Sequence, residues 1–398
     1  MRYGVPYKGS KNAIVKWVVD TLPEADTFVD LFAGGCAVTH GAMLSGKYRN
    51  FIVNDVNDVP QLFLDAVNGK FKDERRWIDR ETFNRLKDTN EYVATCWSFG
   101  NNRRSYLYGR HIEPWKKALH YARVLGDRSL LRDMGIESDG SRADIKAHHE
   151  DYKTNYIRWW LSKQGYTREP DTLIQATEED IQRESEELRQ YLLEGLKASG
   201  LTQAEVQRRL GTQMAGHYFG RSQWEFPTRE MYEKMQDFMP YPTDYNELTG
   251  LWRLRQSLQS LQSLQSLKNL ESLQRLQRLQ RLQRLQRLQS LQSLQILQKD
   301  YREVDLPKGG IVYCDIPYRS SKEGYSKDEE VNNFDYEAFC KWVSQQSERV
   351  VISEYDMPSD RFVKIAEKTK TSLFASNGTN GYVKEGLWIP IHQQEMWR

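Results

Sequence analysis

The sequence has few of the residues that build disulfides and metal centres. Its seven histidines are scattered apart from His148 and His149, which lie in a polar stretch more typical of a solvated surface than of a ligand pair. Its four cysteines have no paired spacing, which argues against a disulfide framework and against a zinc site. These cysteines are Cys36, Cys96, Cys314 and Cys340. We therefore expect a protein without a metal centre.

Long apolar runs and a strong excess of charge are also lacking. No run approaches the roughly 18 apolar residues of a membrane span, and the first residues lack the apolar core of a signal peptide. The net charge is only +2, so a nucleic-acid-binding surface must be local rather than global. With 398 residues, 39% of them hydrophobic, the chain should form two or more domains. We expect no membrane partner and a cytoplasmic location.

Two hydrophobic runs, far apart in the chain, each end in residues suited to a ligand. Residues 28–35 read FVDLFAGG, a predicted strand that enters a glycine turn, where missing Cβ atoms let a ligand approach backbone amides. Residues 312–318 read VYCDIPY, a second predicted strand that delivers an acid, a proline and an aromatic ring. Each alone also fits an ordinary turn after a strand. Together they predict one site at the edge of a sheet.

With two further motifs, these runs resemble the DNA adenine methyltransferase family, in the group whose cofactor motif precedes an Asp-Pro-Pro-Tyr-like catalytic motif. Residues 6–11, PYKGSK, look like its N-terminal signature, and residues 54–57, NDVN, follow a predicted strand at 51–53. The resemblance covers residues 1–68 and 298–398 with specific motifs, and more loosely the insert between them. It implies an α/β fold, a Rossmann-like S-adenosylmethionine-dependent methyltransferase domain with a mainly helical target-recognition insert. It also implies a bacterial or phage-infected cell and leaves room for a restriction endonuclease as partner.

The resemblance assigns a set of residues to the cofactor, S-adenosyl-L-methionine. Asp55 is expected to hold the ribose, and Asp300 belongs to a segment that places an acid and an aromatic beside the cofactor's adenine. For Asp300, the start of a surface strand is an equal alternative. The predicted cofactor-binding residues are Tyr7, Lys11, Asp30, Phe32, Gly34, Gly35, Asp55 and Asp300.

The predicted catalytic residues are Asp315, Ile316, Pro317 and Tyr318. The implied reaction is methyl transfer to the exocyclic amino group (N6) of an adenine flipped out of DNA. That nitrogen is a poor nucleophile because its lone pair is delocalised, so Asp315 and the carbonyl of Ile316 would accept hydrogen bonds from its hydrogens. Tyr318 would stack on the base.

One departure from the family pattern concerns the second residue of this motif. Where the family usually has proline, this chain has Ile316, which frees the backbone torsion φ there, although Pro317 still favours an extended conformation. A catalytically weak or inactive DNA-binding protein on the same fold is therefore one alternative. A methyltransferase acting on RNA or on a protein amide is another, because similar motifs act on planar amides.

Between the two halves, residues 69–247 read as a helical insert with a helix-turn-helix at about 190–240. Thr202 and Glu205 fit a capping box, and Gly211 fits the turn between two helices. The pattern resembles bacterial DNA-binding domains, in which the second helix enters the major groove. A plain helical hairpin that braces the insert explains the spacing equally well.

The predicted DNA contacts lie on that second helix and on arginines elsewhere. Side chains of the helix would face bases, while arginines would contact phosphates, which position a duplex without specifying its sequence. Arg103 and Arg104 follow an aromatic run at 97–99, which also fits a packed corner with a solvated basic edge. The predicted partner is double-stranded DNA. The predicted contacts are Arg103, Arg104, Arg208, Arg209, Gln213, Met214, His217 and Arg221.

Leucine recurs at every third residue from Leu258 to Leu297. In an α-helix a three-residue step advances 300°, so the leucines circle the helix rather than form one face. Leucine, glutamine and arginine favour helix, and no glycine or proline interrupts the run, which predicts a helical segment over residues 248–297. Its arginines would form a basic spiral around this helix, which would either contact DNA phosphates or keep a leucine-rich helix soluble.

Overall fold

A computed structural model describes most of the chain, in two compact units. The first unit comprises Met1–Leu107 with Lys268–Arg398, and the second comprises Tyr108–Leu267. Among the described residues, no helix is both long and apolar enough to cross a membrane. The residues described are 2–163, 178–221, 224–245, 248–249, 252, 268–279, 293–317, 334–372 and 381–397.

A seven-stranded mixed sheet forms the centre of the first unit, in the order β3-β2-β1-β4-β5-β7-β6. Strands β1 to β5 pair in parallel, whereas β7 runs antiparallel to both β5 and β6. The fold is therefore α/β and Rossmann-like, as predicted. The strands are β1 Thr27–Asp30, β2 Asn50–Asn54, β3 Ser293–Leu297, β4 Ile311–Cys314, β5 Arg349–Glu354, β6 Phe362–Ser372 and β7 Gly381–Pro390.

The two strands predicted from the motifs lie side by side at the centre of the sheet. Phe28 and Val29 of β1 are fully buried, as is every residue of β4, because strands covered on both faces are apolar throughout. Asp30 lies opposite Tyr313 in the register. The order of the strands reverses between β1 and β4, and open α/β sheets bind ligands at such a point.

Fifteen α-helices lie within the described ranges, together with shorter turns. The turns are 3₁₀ helices at Lys11–Ala13, Phe99–Asn101, Tyr301–Glu303 and Ile391–Trp397, and a π-helical turn at Tyr121–Leu125. The helices are α1 Val15–Thr21, α2 Ala37–Ser45, α3 Val59–Val67, α4 Arg80–Leu86, α5 Glu91–Cys96, α6 Glu113–His120, α7 Ser129–Asp133, α8 Arg142–Ala147, α9 His149–Lys163, α10 Glu178–Ser199, α11 Gln203–Leu210, α12 Ala215–Phe219, α13 Arg229–Gln236, α14 Lys268–Leu279 and α15 Tyr336–Val343.

The second unit is helical and has a core of its own around α10 to α13. Leu192, Val206 and Tyr232 are fully buried there. At the start of α11 the predicted capping box is present, since Glu205 N donates to Thr202 Oγ1 (3.3 Å) and Thr202 N donates to Glu205 Oε2 (2.8 Å). The local prediction of helix, turn and helix is therefore confirmed, while its role in DNA binding stays a prediction.

The leucine repeat is not helical throughout. Lys268–Leu279 is α14, but the predicted helix is wrong at Ser293–Leu297, which is β3 and pairs in parallel with β2. Ile296 interrupts the triplets with a β-branched residue, and the edge of β2 offers a full ladder of backbone partners, which together outweigh helix propensity. Of the arginines in the predicted basic spiral, Arg275 and Arg278 lie on α14. The others lie outside the described residues.

The limits of the two compact units differ from the predicted domain boundaries at 68/69, 247/248 and 297/298, and the predicted domains stay a prediction. Helices α5 and α14 both pack on α3, and Gln277 Nε2 donates to the carbonyl of Phe71 at 3.1 Å. These contacts attach both segments to the sheet unit, so the division falls at 107/108 and 267/268. The functional role given to each domain stays a prediction.

Candidate active site

A cleft of about 650 Å³ opens at the carboxyl ends of β1 and β4. This volume lies within the range of pockets that hold small ligands and cofactors. Its walls come from five separate stretches of the first unit, which the topology of the sheet brings together. The predicted residues that line it are Tyr7, Lys11, Asp30, Phe32, Gly34, Gly35, Asp55, Arg103, Arg104, Asp315, Ile316 and Pro317.

Two further predicted site residues belong to the same unit, of which the structure describes only Asp300. Asp300 does not line the cleft as far as the structure describes it. Its carboxylate instead accepts hydrogen bonds from the backbone N, Nε and Nη2 of Arg302 at 2.8–2.9 Å, and the Arg302 guanidinium holds the pKa of Asp300 below its usual value. Tyr318 lies outside the described residues.

The remaining predicted DNA contacts all belong to the second unit. Their environments differ: Met214 is half-buried and packs on the core of that unit, whereas Gln213 is exposed. The guanidinium of Arg209 lies 5.2 Å from the centre of the Phe238 ring. His217 is half-buried, and three arginines are exposed, namely Arg208, Arg209 and Arg221.

The glycine turn after β1 is shaped by the chain itself. A Cβ on Gly34, whose φ is +46°, would lie 2.7 Å from Tyr7 Cε1, and a Cβ on Gly35 would lie 2.6 Å from Tyr7 Cβ. Val5 N also donates to the carbonyl of Gly35 at 2.8 Å. The sequence predicted these glycines from the approach of a ligand, but here they make room for the tyrosine that forms the wall of the cleft.

Asp30, the last residue of β1, is 1% exposed. Its Oδ2 accepts hydrogen bonds from Thr39 N (3.2 Å) and Thr39 Oγ1 (2.5 Å). Burial raises the pKa of Asp30 from its usual 3.8 to about 7, because the bonds from Thr39 offset only part of the lost hydration. Its Oδ1 is buried and has no hydrogen-bond partner among the described residues. That oxygen fits a donor group on a bound ligand.

Asp55, which follows β2, holds the glycine turn against the end of the sheet. Its Oδ2 accepts a hydrogen bond from Gly34 N at 2.8 Å. Its Oδ1 accepts from Asn57 N (2.9 Å) and from Asn57 Nδ2 (3.2 Å). Each carboxylate oxygen carries two acceptor sites, so Oδ2 keeps one for a hydroxyl group of a ligand.

Asp315, just beyond β4, forms an ion pair with Lys11. The Lys11 ammonium also lies 3.6 Å from Glu385 Oε1. Burial opposes the charge of Lys11, yet Asp315 and Glu385 outweigh burial and raise the pKa of Lys11 above its usual value. The lysine therefore remains protonated beside Asp315 at neutral pH. Sequence comparison linked Lys11 to the cofactor, whereas the structure pairs it with the predicted catalytic acid.

Glu385 is a residue that sequence reasoning missed. It is fully buried on β7, and its Oε1 accepts a hydrogen bond from Ser353 Oγ on β5 at 2.6 Å. The printed sequence offers one weak signal, a single acid directly before the mostly apolar run at 386–391. That pattern fits many surface strands, so Glu385 can be connected with Lys11 only once the sheet is assembled.

Ile316, which stands where the family usually has proline, is 1% exposed. It packs in a core cluster that includes Val312, Cys314 and Phe339. Close packing holds the residue in place, so the freedom of φ that an isoleucine allows is restricted by its surroundings. Pro317 next to it is exposed at the rim of the cleft.

Comparison with known protein families agrees with the geometry of the cleft. Residues 7–112 match the model of the family described as D12 class N6 adenine-specific DNA methyltransferase. This match supports the resemblance to the adenine methyltransferase family that the motifs indicated. The matched segment contains Tyr7, the glycine turn, Asp55 and Arg103. No curated protein sequence matches this chain.

The match supports the general reaction, N6-adenine methylation, and DNA is the substrate that the family description implies. Within the described ranges, no group of three or more His, Cys, Asp or Glu side chains is arranged to hold a metal ion. The four cysteines are buried, and none of them forms a disulfide.

Proposed function

We propose that this protein transfers a methyl group from S-adenosyl-L-methionine to N6 of an adenine flipped out of double-stranded DNA, at a specific sequence. One observation carries the proposal: the Asp315 carboxylate opens into the same cleft as Asp30, Asp55 and the glycine turn. A cleft with acceptors at both ends suits a cofactor at the β1 side and an amino group at the β4 side.

The residues on the β1 side fit S-adenosyl-L-methionine. The unpartnered Oδ1 of Asp30 suits a cationic or hydroxyl donor, and Asp55 keeps an acceptor site for a ribose hydroxyl. Phe32 supplies an aromatic ring at the cleft wall, 5.4 Å from the Tyr301 ring. When bound, the cofactor supplies an electrophilic methyl group.

On the β4 side, Asp315 would act on the amino group of adenine. Lys11 donates to Oδ1 of Asp315, and an ionised carboxylate has about four acceptor sites, so Asp315 can also accept a hydrogen bond from an amino hydrogen. Hydrogen bonds from the amino hydrogens to Asp315 and to the Ile316 carbonyl would localise the nitrogen lone pair for attack on the methyl group. The bond between sulfur and methyl would break as the new bond to nitrogen forms, and the nitrogen would then release one proton to solvent. Holding that nitrogen in line with the methyl group supplies much of the remaining acceleration.

The packing of Ile316 supports an active enzyme over the binding-only alternative. Proline at this position would fix φ through its ring, and here the buried side chain restricts the same backbone through its neighbours. The carbonyl of Ile316 can then be presented reproducibly. Stacking of the flipped base on Tyr318 remains part of the proposal, although that residue lies outside the described ranges.

In the second unit, α11 and α12 would contribute to reading the DNA sequence. The exposed Arg208, Arg209 and Arg221 suit phosphate contacts. Helix α12 has five residues, about 7.5 Å at 1.5 Å per residue, so contacts to bases would come from its first turn. The exposed Gln213, which precedes this helix, would then lie beside the bases.

The experiment that tests the proposal is single-base modification sequencing of DNA from cells that express the protein, beside an Asp315→Ala variant. We expect methyladenine at one short motif, absent in the variant. Modified RNA without modified DNA would move the assignment to an RNA acceptor. Binding of cofactor and DNA by purified protein with no modified base would identify the binding-only alternative.

A further inference from the structure

Arg103 lies in the wall of the cleft, not on an open surface. Its Nη2 donates to Glu91 Oε2 at 2.6 Å, and its Nη1 donates to Asn57 Oδ1 at 3.1 Å. The side chains of Arg103 and Glu91 are 33% and 12% exposed. A guanidinium held between two planar partners has a fixed orientation. To reach a DNA phosphate, Arg103 would have to give up both bonds.

The backbone of Arg103 is also held in an unusual conformation. Its φ is +64°, in the left-handed region, which is unfavourable for a residue other than glycine. The backbone N–H of Arg103 donates to Ser98 Oγ at 2.9 Å, and Ser98 is fully buried. Strain of this kind persists only where surrounding contacts over-determine it, which here are Ser98, Glu91 and Asn57.

From Arg103, a continuous set of hydrogen bonds leads to the glycine turn. Asn57 accepts from Arg103 through Oδ1 and donates through N and Nδ2 to Asp55 Oδ1. Asp55 Oδ2 in turn accepts from Gly34 N. The bond from Arg103 fixes which way the Asn57 amide faces, because only its oxygen can accept. The amide nitrogen is thereby turned toward Asp55.

The charge of Arg103 also acts on the cofactor side of the cleft. Burial and then Asp55 raise the pKa of the Tyr7 hydroxyl, whereas Arg103 acts in the opposite direction. The positive charge of Arg103 thus lies close enough to the Tyr7 hydroxyl to offset part of the effect of Asp55 on its pKa. Its neighbour in sequence differs, because Arg104 is exposed and its backbone N–H donates to Asn102 Oδ1 at 2.9 Å.

We infer that Arg103 is a positioning residue for the cofactor, acting through Asn57 on Asp55, and not the phosphate contact that the sequence predicted. The inference rests on the proposed function, in which Asp55 holds S-adenosyl-L-methionine. It leaves the phosphate role in this loop to Arg104. It also connects residues 98–105 with the glycine turn, so that a change at the loop alters cofactor affinity.

The test compares Arg103→Ala with Arg104→Ala in the full-length protein. Binding of S-adenosyl-L-methionine is measured by calorimetry, and binding of a non-specific DNA duplex is measured by fluorescence anisotropy at several salt concentrations. We expect Arg103→Ala to raise the cofactor Kd about tenfold and to leave the salt dependence unchanged. Arg104→Ala should leave the cofactor Kd within about twofold and reduce the slope of log K against log salt by about 0.9.

A second variant tests the same contact without replacing Arg103, so that a disturbed local fold in Arg103→Ala does not decide the result. Glu91→Gln removes the ion pair from its other end and retains the arginine charge. Positioning predicts a cofactor Kd raised several-fold with unchanged DNA binding, whereas a phosphate role predicts tighter DNA binding as Arg103 is released. An unchanged cofactor Kd in Arg103→Ala with a lower salt slope would overturn the inference. If the unaltered protein binds no cofactor, the proposed function itself is wrong.

Discussion

The ends of β1 and β4 carry two aspartates in opposite environments. Asp30 is almost fully buried, bonded to Thr39 and lacks a cationic partner in the described part of the chain. Asp315 is partly exposed to the cleft and paired with Lys11. Burial without a cation favours the protonated carboxyl, whereas a lysine at contact distance favours the carboxylate. Two neighbouring strand ends of one cleft thus suit different tasks.

The largest effect should come from replacing the carboxylate of Asp315 by an amide. Asp315→Asn replaces an acceptor for the amino hydrogens with an amide, and we expect kcat to fall at least about 100-fold, as for loss of an electrostatic group at a reacting centre. Cofactor affinity should stay within about threefold. Asp30→Asn is the isosteric control and should affect cofactor Kd more than kcat. Equal losses of kcat in both variants would contradict the division of roles.

Glu385 allows the β4 side to be perturbed without touching Asp315. In Glu385→Gln, the glutamine can still accept from Ser353, but one of the two carboxylates that raise the pKa of Lys11 is lost. We expect kcat to fall about tenfold, within the range for a hydrogen bond to a charged group. The alkaline limb of the pH–rate profile should move to lower pH, since Lys11 then loses its proton earlier.

The control for that experiment lies on the neighbouring strand β6. Glu367 pairs with Lys364 and Lys384 at the surface. Glu367→Gln should therefore leave both kcat and the pH profile unchanged. If Glu385→Gln lowered the rate equally at every pH, its role would be limited to packing.

The β1 side can be examined through stability. Asp30 has a folded-state pKa of about 7, against 3.8 for the free side chain. Between these values the folded state holds a proton that the unfolded state has released, so stability falls as pH rises from about 4 to 7 and then levels off. The Asp30→Asn variant has no carboxyl group at this position, so its stability does not fall with pH in this way. Relative to the unaltered protein, the variant should gain about 2–3 kcal/mol between pH 5 and pH 8, measured by urea unfolding.

Asp127 supplies a control of opposite sign. It is exposed, and hydrogen bonds from Ser129 hold its pKa below the usual value. Its contribution to stability is therefore present at neutral pH and lost as pH falls, so Asp127→Asn should give a small difference in the other direction. A pH-independent difference for Asp30→Asn would mean that Asp30 remains ionised throughout.

The two strand ends also show what could be predicted from the sequence. Both strands are buried on each face, which leaves continuous apolar runs that end in chemically distinctive residues. Glu385 carries no such clear signal, since it meets Ser353 through the pairing of β5 with β7 and meets Lys11 only in the assembled fold. Helix propensity pointed the wrong way at β3, where Ile296 lies in the sheet because β2 offered an open edge.

Arg103 illustrates a second limit of sequence reasoning. Two adjacent arginines after an aromatic run look equivalent, and both were predicted to contact phosphate. Their difference arises from the positive φ at Arg103 and from partners 12 and 46 residues away. Neither feature follows from residue type or spacing. The prediction of a site at the sheet edge needed only parallel strands, whereas the orientation of single side chains needed the assembled fold.

The smallest effect should come from Ile316, next to the predicted catalytic acid. If its side chain acts only through packing, Ile316→Val should cost about 0.5–1.5 kcal/mol of unfolding free energy and leave kcat within about twofold. Val56, 67% exposed at the cleft, is the control, and Val56→Ala should change stability by less than about 0.5 kcal/mol. A loss of kcat in Ile316→Val without loss of stability would show that the side chain shapes the substrate site directly. In that case the replacement of proline would be part of the chemistry, and Ile316 and Asp315 would have to be treated as one unit.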